Sequence, residues 1–469
     1  MTILGYIMLP IGLAGLLLSE KWLYRLFVFW TLFSATAAIN LGEGDNGSAL
    51  PVWMFFGFFW LLRLTLDHFS ARSFSIDRRI LSPCLWLAGF LFVAALSLFM
   101  PIYINGRLGI ESSLLGDNSA TPLYLASHNF TQLLYLIFGG LIAICVAHRN
   151  MQADKRDETE RTIMVSAIFI SFWGLFQFGC NLTGISYPYY IFNNSSSASA
   201  TGYLQTLDVG ISRVSSTAVE PSVLAQSLLA ILPLTLPAWL RRGSILSISI
   251  DRWSTSLFLT VLLLSTSATA YLGLFMLAIL LLILLLRARI LSAKKASWLL
   301  VVAALAAIGI IALAISSSSV ISEVINSALL DKSSSGSGLE RMMTIGLAYG
   351  YFLKYPILGI GWGSATSHDL IVKLLSNVGV VGALTFLGAM YSIIRADWKA
   401  IDSLVRSEDL SRAVWFLALT IFFLTSVLIE FPLVFGNFWL VVGMAIAVSW
   451  KSNGAFEPAS INTPLQTRD

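Results

Sequence analysis

Continuous apolar runs, each about 17 to 22 residues long and rich in Leu, Ile, Phe and Ala, recur along the whole chain between short polar segments. Each matches a helix spanning about 30 Å of hydrocarbon. The runs fall at approximately 2–18, 22–40, 50–66, 80–102, 129–147, 162–182, 222–240, 254–267, 269–286, 297–315, 379–394, 413–430 and 436–450. They lack the short alternating segments of a spanning barrel. The pattern predicts an all-α polytopic membrane protein of about 12 to 13 transmembrane helices.

Composition agrees with lipid as the main solvent: 57% of the 469 residues are hydrophobic and 12% charged. A water-soluble core cannot absorb so much apolar surface. The first run, residues 1–18, has no basic flank or small-residue cleavage site and reads as a retained span. Cys84, Cys145 and Cys180 lie in or beside apolar runs without metal-ligand spacing, and read as packing residues.

The net charge of +4 matters less than where the 29 basic residues sit. Most of them fall in loops that this span order places on one side: Lys21/Arg25, Arg63 to Arg79, Arg149 to Arg161, Arg241 to Arg252, Arg287 to Lys295, Arg395 to Arg412, and Lys451. That side is expected to be cytoplasmic. The chain then divides into an N-terminal transmembrane bundle (1–315, with outer segments 103–128 and 183–221), a large, partly helical periplasmic loop (316–378), C-terminal transmembrane helices (379–452) and a polar cytoplasmic tail (453–469). A loop as long as 316–378 between spans is more often functional than a tether. Within it, 339–354 reads as a helix closed by Tyr355-Pro356. A glycine-rich turn, Gly359-Ile360-Gly361-Trp362-Gly363, follows, and Ser367 is placed to cap a second helix starting at His368.

Basic residues on the outer side are few: Arg107, Arg213, Lys332, Arg341, Lys354 and Lys373. Orientation does not ask for them there. Arg213 and Arg341 either grip a phosphate through the forked guanidinium or pair with Glu220 or Glu340. Glu220, before Pro221, either orients a reacting hydroxyl or pairs with Arg213. His368 either serves as a base, in a helix first turn whose dipole disfavours the imidazolium, or merely fills a surface site. His68, His128 and His148 read as structural. Lys354, Tyr355, Asp369 and the intramembrane acid Glu430 are secondary candidates. Tyr351, Phe352, Tyr355 and Trp362 either stack on sugar rings or seal the loop, with sealing favoured for most.

Over about 210–395 the outer segments resemble the O-antigen ligase and Wzy polysaccharide polymerase superfamily, which has a multi-span glycosyltransferase fold of the C class. The resemblance rests on Arg213 followed by Glu220-Pro221-Ser222-Val-Leu-Ala and on the helix end Leu264-Ser265-Thr266-Ser267. It also rests on Arg341 followed by Tyr355-Pro356-Ile-Leu-Gly359-Ile-Gly361-Trp-Gly363, His368 and Asn377-Val-Gly379-Val-Val-Gly382. Two positions depart from the family pattern: Ala268 stands where an arginine is common, and Asp369 where His-Asn is common.

The resemblance implies metal-independent, cofactor-free, inverting transfer of a glycan from undecaprenyl pyrophosphate to a sugar hydroxyl, at the periplasmic face of a bacterial inner membrane. It assigns His368 and Glu220 to catalysis and Arg213 and Arg341 to the pyrophosphate. The implied partners are the lipid-linked oligosaccharide, membrane lipids and a chain-length regulator protein, with no role for nucleic acid. Glu220-Pro221-Ser222 is closer to polymerases than to ligases, which move the glycan to lipid A core. A flippase or transporter is the reading from another class, but the charges gather at the two faces instead of mid-membrane.

Overall fold

The computed structural model describes residues 1–41, 48–71, 80–112, 119–196, 213–287, 336–404, 410–427 and 432–449. The apolar run at 297–315, the loop residues 316–335 with Lys332, Glu430 and the tail lie outside the described residues. Among those described, helices α1 (Ile3–Leu18) and α2 (Glu20–Trp30) are followed by the strands β1 (Ala37–Leu41) and β2 (Ser48–Pro51) and by α3 (Val52–Ala71), α4 (Leu81–Ser97) and α5 (Phe99–Ile104). Strands β3 (Gly109–Glu111) and β4 (Ala120–Pro122) precede α6 (Ser127–Arg149), α7 (Ala153–Thr183) and α8 (Tyr189–Phe192). Then come α9 (Pro221–Ile231), α10 (Leu236–Trp239), α11 (Ile248–Leu264), α12 (Ala268–Arg287), α13 (Gly336–Lys354), α14 (Leu370–Leu404), α15 (Ser411–Ser426) and α16 (Gly436–Ser449).

Among the described residues, six helical segments are long and apolar enough to cross a membrane: Leu81–Ile104, Ser127–Arg149, Ala153–Thr183, Pro221–Trp239, Ala268–Arg287 and Leu370–Trp398. The chain is thus predominantly α-helical and has the composition of a multi-pass membrane protein. Three shorter helices, α1, α15 and α16, are also apolar. The run at 22–40 is not one helix. Helix α2 stops at Trp30, and β1 pairs antiparallel with β2 instead. Asn194 holds this hairpin from outside: its Oδ1 accepts from Ala37 N at 2.8 Å, and its carbonyl accepts from Asn40 Nδ2 at 2.8 Å.

Helix α16 is buried along its whole length. It packs on α6, where a side chain at Gly139 would overlap the Trp439 indole; small residues permit such close helix contacts in lipid. The basic segments around Arg25 and Arg149 meet at one end. There Arg149 bridges Glu20 and Glu158, both at 3.1 Å, while Tyr24, Asn150 and Thr159 close a buried hydrogen-bonded triangle.

At the other end, the span run beginning at 379 proves to be part of α14, which starts nine residues earlier and is broken at Gly379 (φ 64°, ψ −169°). The break frees backbone groups that lipid cannot satisfy. The Tyr355–Gly361 turn takes them up. Ile360 N and Gly361 N donate to the carbonyls of Ser376 (2.8 Å) and Asn377 (3.1 Å), while Val380 N and Val381 N donate to those of Pro356 (2.8 Å) and Ile357 (3.4 Å). A side chain at Gly379 would overlap the Ile357 carbonyl.

Asn377, fully buried, braces the same turn. Its Oδ1 accepts from Ser364 N (3.0 Å) and Ala365 N (3.2 Å), and its Nδ2 donates to Ala365 O (3.0 Å). Asn129 of α6 donates to Trp362 O at 2.8 Å, and Ser97 of α4 accepts from Trp362 N at 3.0 Å. A small apolar cluster of Ile104, Leu108, Leu123, Tyr351, Ile360 and Ala365 joins α13 to the β3–β4 hairpin.

Two glycine substitutions should separate strain from propensity in a thermal unfolding series in detergent. Gly379→Ala meets both a glycine-only backbone conformation and a backbone clash, so it should destabilise by about 3 kcal/mol or more. Gly346→Ala, at an exposed α13 position with open space around it, should stabilise by up to about 1 kcal/mol. Equal melting temperatures for the two variants would contradict the account of the break.

Candidate functional site

Residues 213–220 form the first wall. Ser215 N and Ser216 N both donate to Gln177 Oε1 (2.9 and 2.7 Å), and Ser216 takes a left-handed conformation (φ 54°). Tyr187 Oη donates to Ser216 O at 3.2 Å, and Ala35 N to Thr217 O at 3.0 Å. This irregular stretch is buried, so it needs these partners for its backbone. It ends at Glu220, which precedes α9. Pro221 occupies the first helical position, where the missing N–H costs nothing.

The Glu220 carboxylate does not cap its own helix. Its Oε1 accepts from the Ser222 hydroxyl and stands 3.9 Å from Arg341 Nη2 on α13. Arg213, 8% exposed, is close enough to feel both charges. Burial, the largest influence, pulls its guanidinium below the ordinary pKa. Glu220 opposes that pull, Arg341 adds to it, and Tyr271 in the first turn of α12 opposes it. Glu220 thus acts on both guanidiniums, one from its own segment and one from α13.

Along α13, Thr344 follows Arg341 by three positions and so lies on the same face. Its buried hydroxyl donates to Arg341 O at 3.1 Å and lies 2.9 Å from His368 Nδ1. His368 itself is half-buried. The helix expected to start at His368 under a Ser367 cap starts instead at Leu370. Asp369 caps it, its Oδ1 accepting from Val372 N at 2.8 Å, while Ser367 Oγ accepts from Asp369 N at 3.3 Å. His368 therefore precedes the helix, and the helix-dipole argument for a neutral ring does not apply to it as framed. Asp369 serves the backbone.

The structure thus brings Arg213, Glu220, Arg341 and, through Thr344, His368 into one neighbourhood. Lys354 and Tyr355 are left out. They end α13 thirteen residues after Arg341, roughly 20 Å along the axis. Lys354 is exposed, and Tyr355 packs against the apolar cluster with Tyr351. Tyr351 and Trp362 are buried and seal the fold. Lys373 stands near His128 instead. Glu430 lies outside the described residues. Among those residues, no three His, Cys, Asp or Glu side chains gather as metal ligands would.

Ser222 belongs to the Glu220-Pro221-Ser222 motif that the sequence singles out, whereas Thr344, Tyr271 and Gln177 do not stand out there. Of these three, only Thr344 leaves a signal, its three-residue spacing from Arg341. No protein-family model matches this chain, and none of the curated proteins matches it in sequence.

Proposed function

We propose that this protein is a glycosyltransferase of about 12 to 13 spans in a bacterial inner membrane, with its site facing the periplasm. In this reading it transfers a glycan from a polyprenyl pyrophosphate to the sugar hydroxyl of a second lipid-linked repeat unit. One observation carries the reading: Arg341 and Glu220 stand 3.9 Å apart, with the Arg213 charge beside them, although Arg341 comes from a segment far from 213–220 in sequence. Two arginines around one carboxylate, with a histidine linked through Thr344 to the helix of Arg341, suit a reaction whose leaving group gains negative charge as a hydroxyl loses its proton.

Arg213 and Arg341 hold the pyrophosphate, and Glu220, steadied by Ser222, orients Arg341. His368 accepts the hydroxyl proton as the acceptor oxygen attacks the anomeric carbon. The glycosidic C–O electron pair leaves with the pyrophosphate, and attack from the opposite face inverts that centre. The polymerase form is preferred to the ligase form because of the Glu220-Pro221-Ser222 sequence.

Proteoliposomes given lipid-linked repeat units alone should make longer chains. Product only when lipid A core is added would identify a ligase, and lipid movement without a new bond would identify a transporter. Arg341→Ala should lower the transfer rate about 10²- to 10³-fold, the usual effect of deleting one preorganised donor. Arg341→Lys should recover only part of that, because the fork is lost. A fully active lysine variant would rule out bidentate phosphate contact.

Replacing each acid–base candidate in turn separates their roles. His368→Gln should lower the rate about 10²- to 10⁴-fold as a lost general base does. Glu220→Gln, which keeps the shape and a partner for Ser222, should lose less. The reverse order would move the base to Glu220.

A further inference from the structure

We propose that Thr344 is the positioning residue that fixes the tautomer of His368, holding the proton on Nδ1 and leaving the Nε2 lone pair as the base. The assignment rests on the glycosyl-transfer reading for its purpose, but not for its geometry. A threonine hydroxyl carries one proton. Thr344 Oγ1 lies 3.1 Å from Arg341 O and 2.9 Å from His368 Nδ1.

A carbonyl oxygen cannot donate, so the short contact between the two oxygens is attractive only if the hydroxyl proton points at the carbonyl. The hydroxyl then has only lone pairs to offer the ring, and Nδ1 must be the donor. In the opposite arrangement the hydroxyl proton points at Nδ1, and two oxygens face each other across 3.1 Å with no hydrogen between them. Thr344 is 1% exposed, so bulk water cannot take over either bond.

This chain of bonds links the two proposed functions of α13. Arg341 extends toward Glu220, while its own carbonyl holds the hydroxyl that orients His368. In the reaction the acceptor hydroxyl gives its proton to Nε2 as its oxygen bonds to the anomeric carbon and the pyrophosphate departs. The imidazolium so formed keeps its Nδ1–H on Thr344, and no group has to rotate during the step.

The test combines a spectrum with kinetics. The chain has four histidines, so 15N-histidine labelling in lipid nanodiscs gives few signals, and a His368→Gln sample assigns the one that disappears. With the ring neutral, the wild type should show a protonated Nδ1 and an unprotonated Nε2. Thr344→Val, nearly the same shape without the hydroxyl, should shift the signal toward the other tautomer, and Thr344→Ser should restore it.

In the transfer assay, Thr344→Val should lower kcat about 10- to 100-fold with KM for the lipid-linked donor within about twofold, as expected of a group acting on the base and not on binding. Thr344→Ser should recover most of that loss. An unprotonated Nδ1 in the wild type, or a valine variant that folds and keeps both spectrum and kcat, would overturn the assignment. The expected spectrum together with an active His368→Gln variant would leave the tautomer assignment standing and remove the proposed reaction.

Discussion

The exchange of backbone hydrogen bonds at Gly379 is the constraint on which the candidate site depends. A spanning helix that breaks leaves polar groups whose exposure to lipid costs several kcal/mol each. Here the Tyr355–Gly361 turn lies across the break and answers four of them. Once that turn is pinned, little freedom remains on either side of it. The end of α13 is anchored at Tyr355, and the chain returns through Trp362, Ser364 and Ala365, held by Asn129 and Asn377, to His368. Arg341 and His368 thus sit in fixed register although both belong to a connecting loop.

Electrostatics sets the second constraint. A guanidinium as buried as Arg213 is costly without a counter-charge. One carboxylate, already engaged by Ser222 and facing Arg341, is the shared counter-charge of the two arginines. Glu220 thus acts on a guanidinium from its own segment and on one from α13, and so ties the two segments together. Among the basic loops, Arg149 bridges Glu20 and Glu158, the second of which also pairs with Arg25.

Much of this was legible in the sequence. Length and hydropathy found the helices, because a spanning helix has to be both long and apolar. The short apolar stretch after Trp30 was misread, since periodicity cannot tell a few apolar hairpin residues from the end of a helix. The cap of α14 was placed two residues early because serine and aspartate are both good caps, and only geometry chooses between Ser367 and Asp369. Lys354 is a candidate from sequence as one of the few outer basic residues and Tyr355 through the family resemblance, but a straight helix carries its two ends far apart and leaves both away from Arg341. Glycine-rich spacing marked the turn but not the Gly379 break it repairs, because the partner groups are backbone and leave no residue-type signature.

A last feature explains why Glu220 can be aimed so closely from the end of a helix. Helices packed in lipid can rotate about their axes at little cost, because lipid tails are as apolar as the side chains they replace. Helix α9 is denied that freedom by polar contacts below Glu220. Gln226 Nε2 reaches Phe422 O (3.3 Å), Thr425 Oγ1 (3.2 Å) and Ser426 Oγ (3.0 Å) on α15, and Ser227 Oγ accepts from Asn437 Nδ2 of α16 at 2.7 Å. Turning α9 would break these bonds together and strand buried polar atoms. The rotation that satisfies them is the one that points the Glu220 carboxylate at Arg341, so the orientation of that charge is set by uncharged side chains about two helical turns along α9.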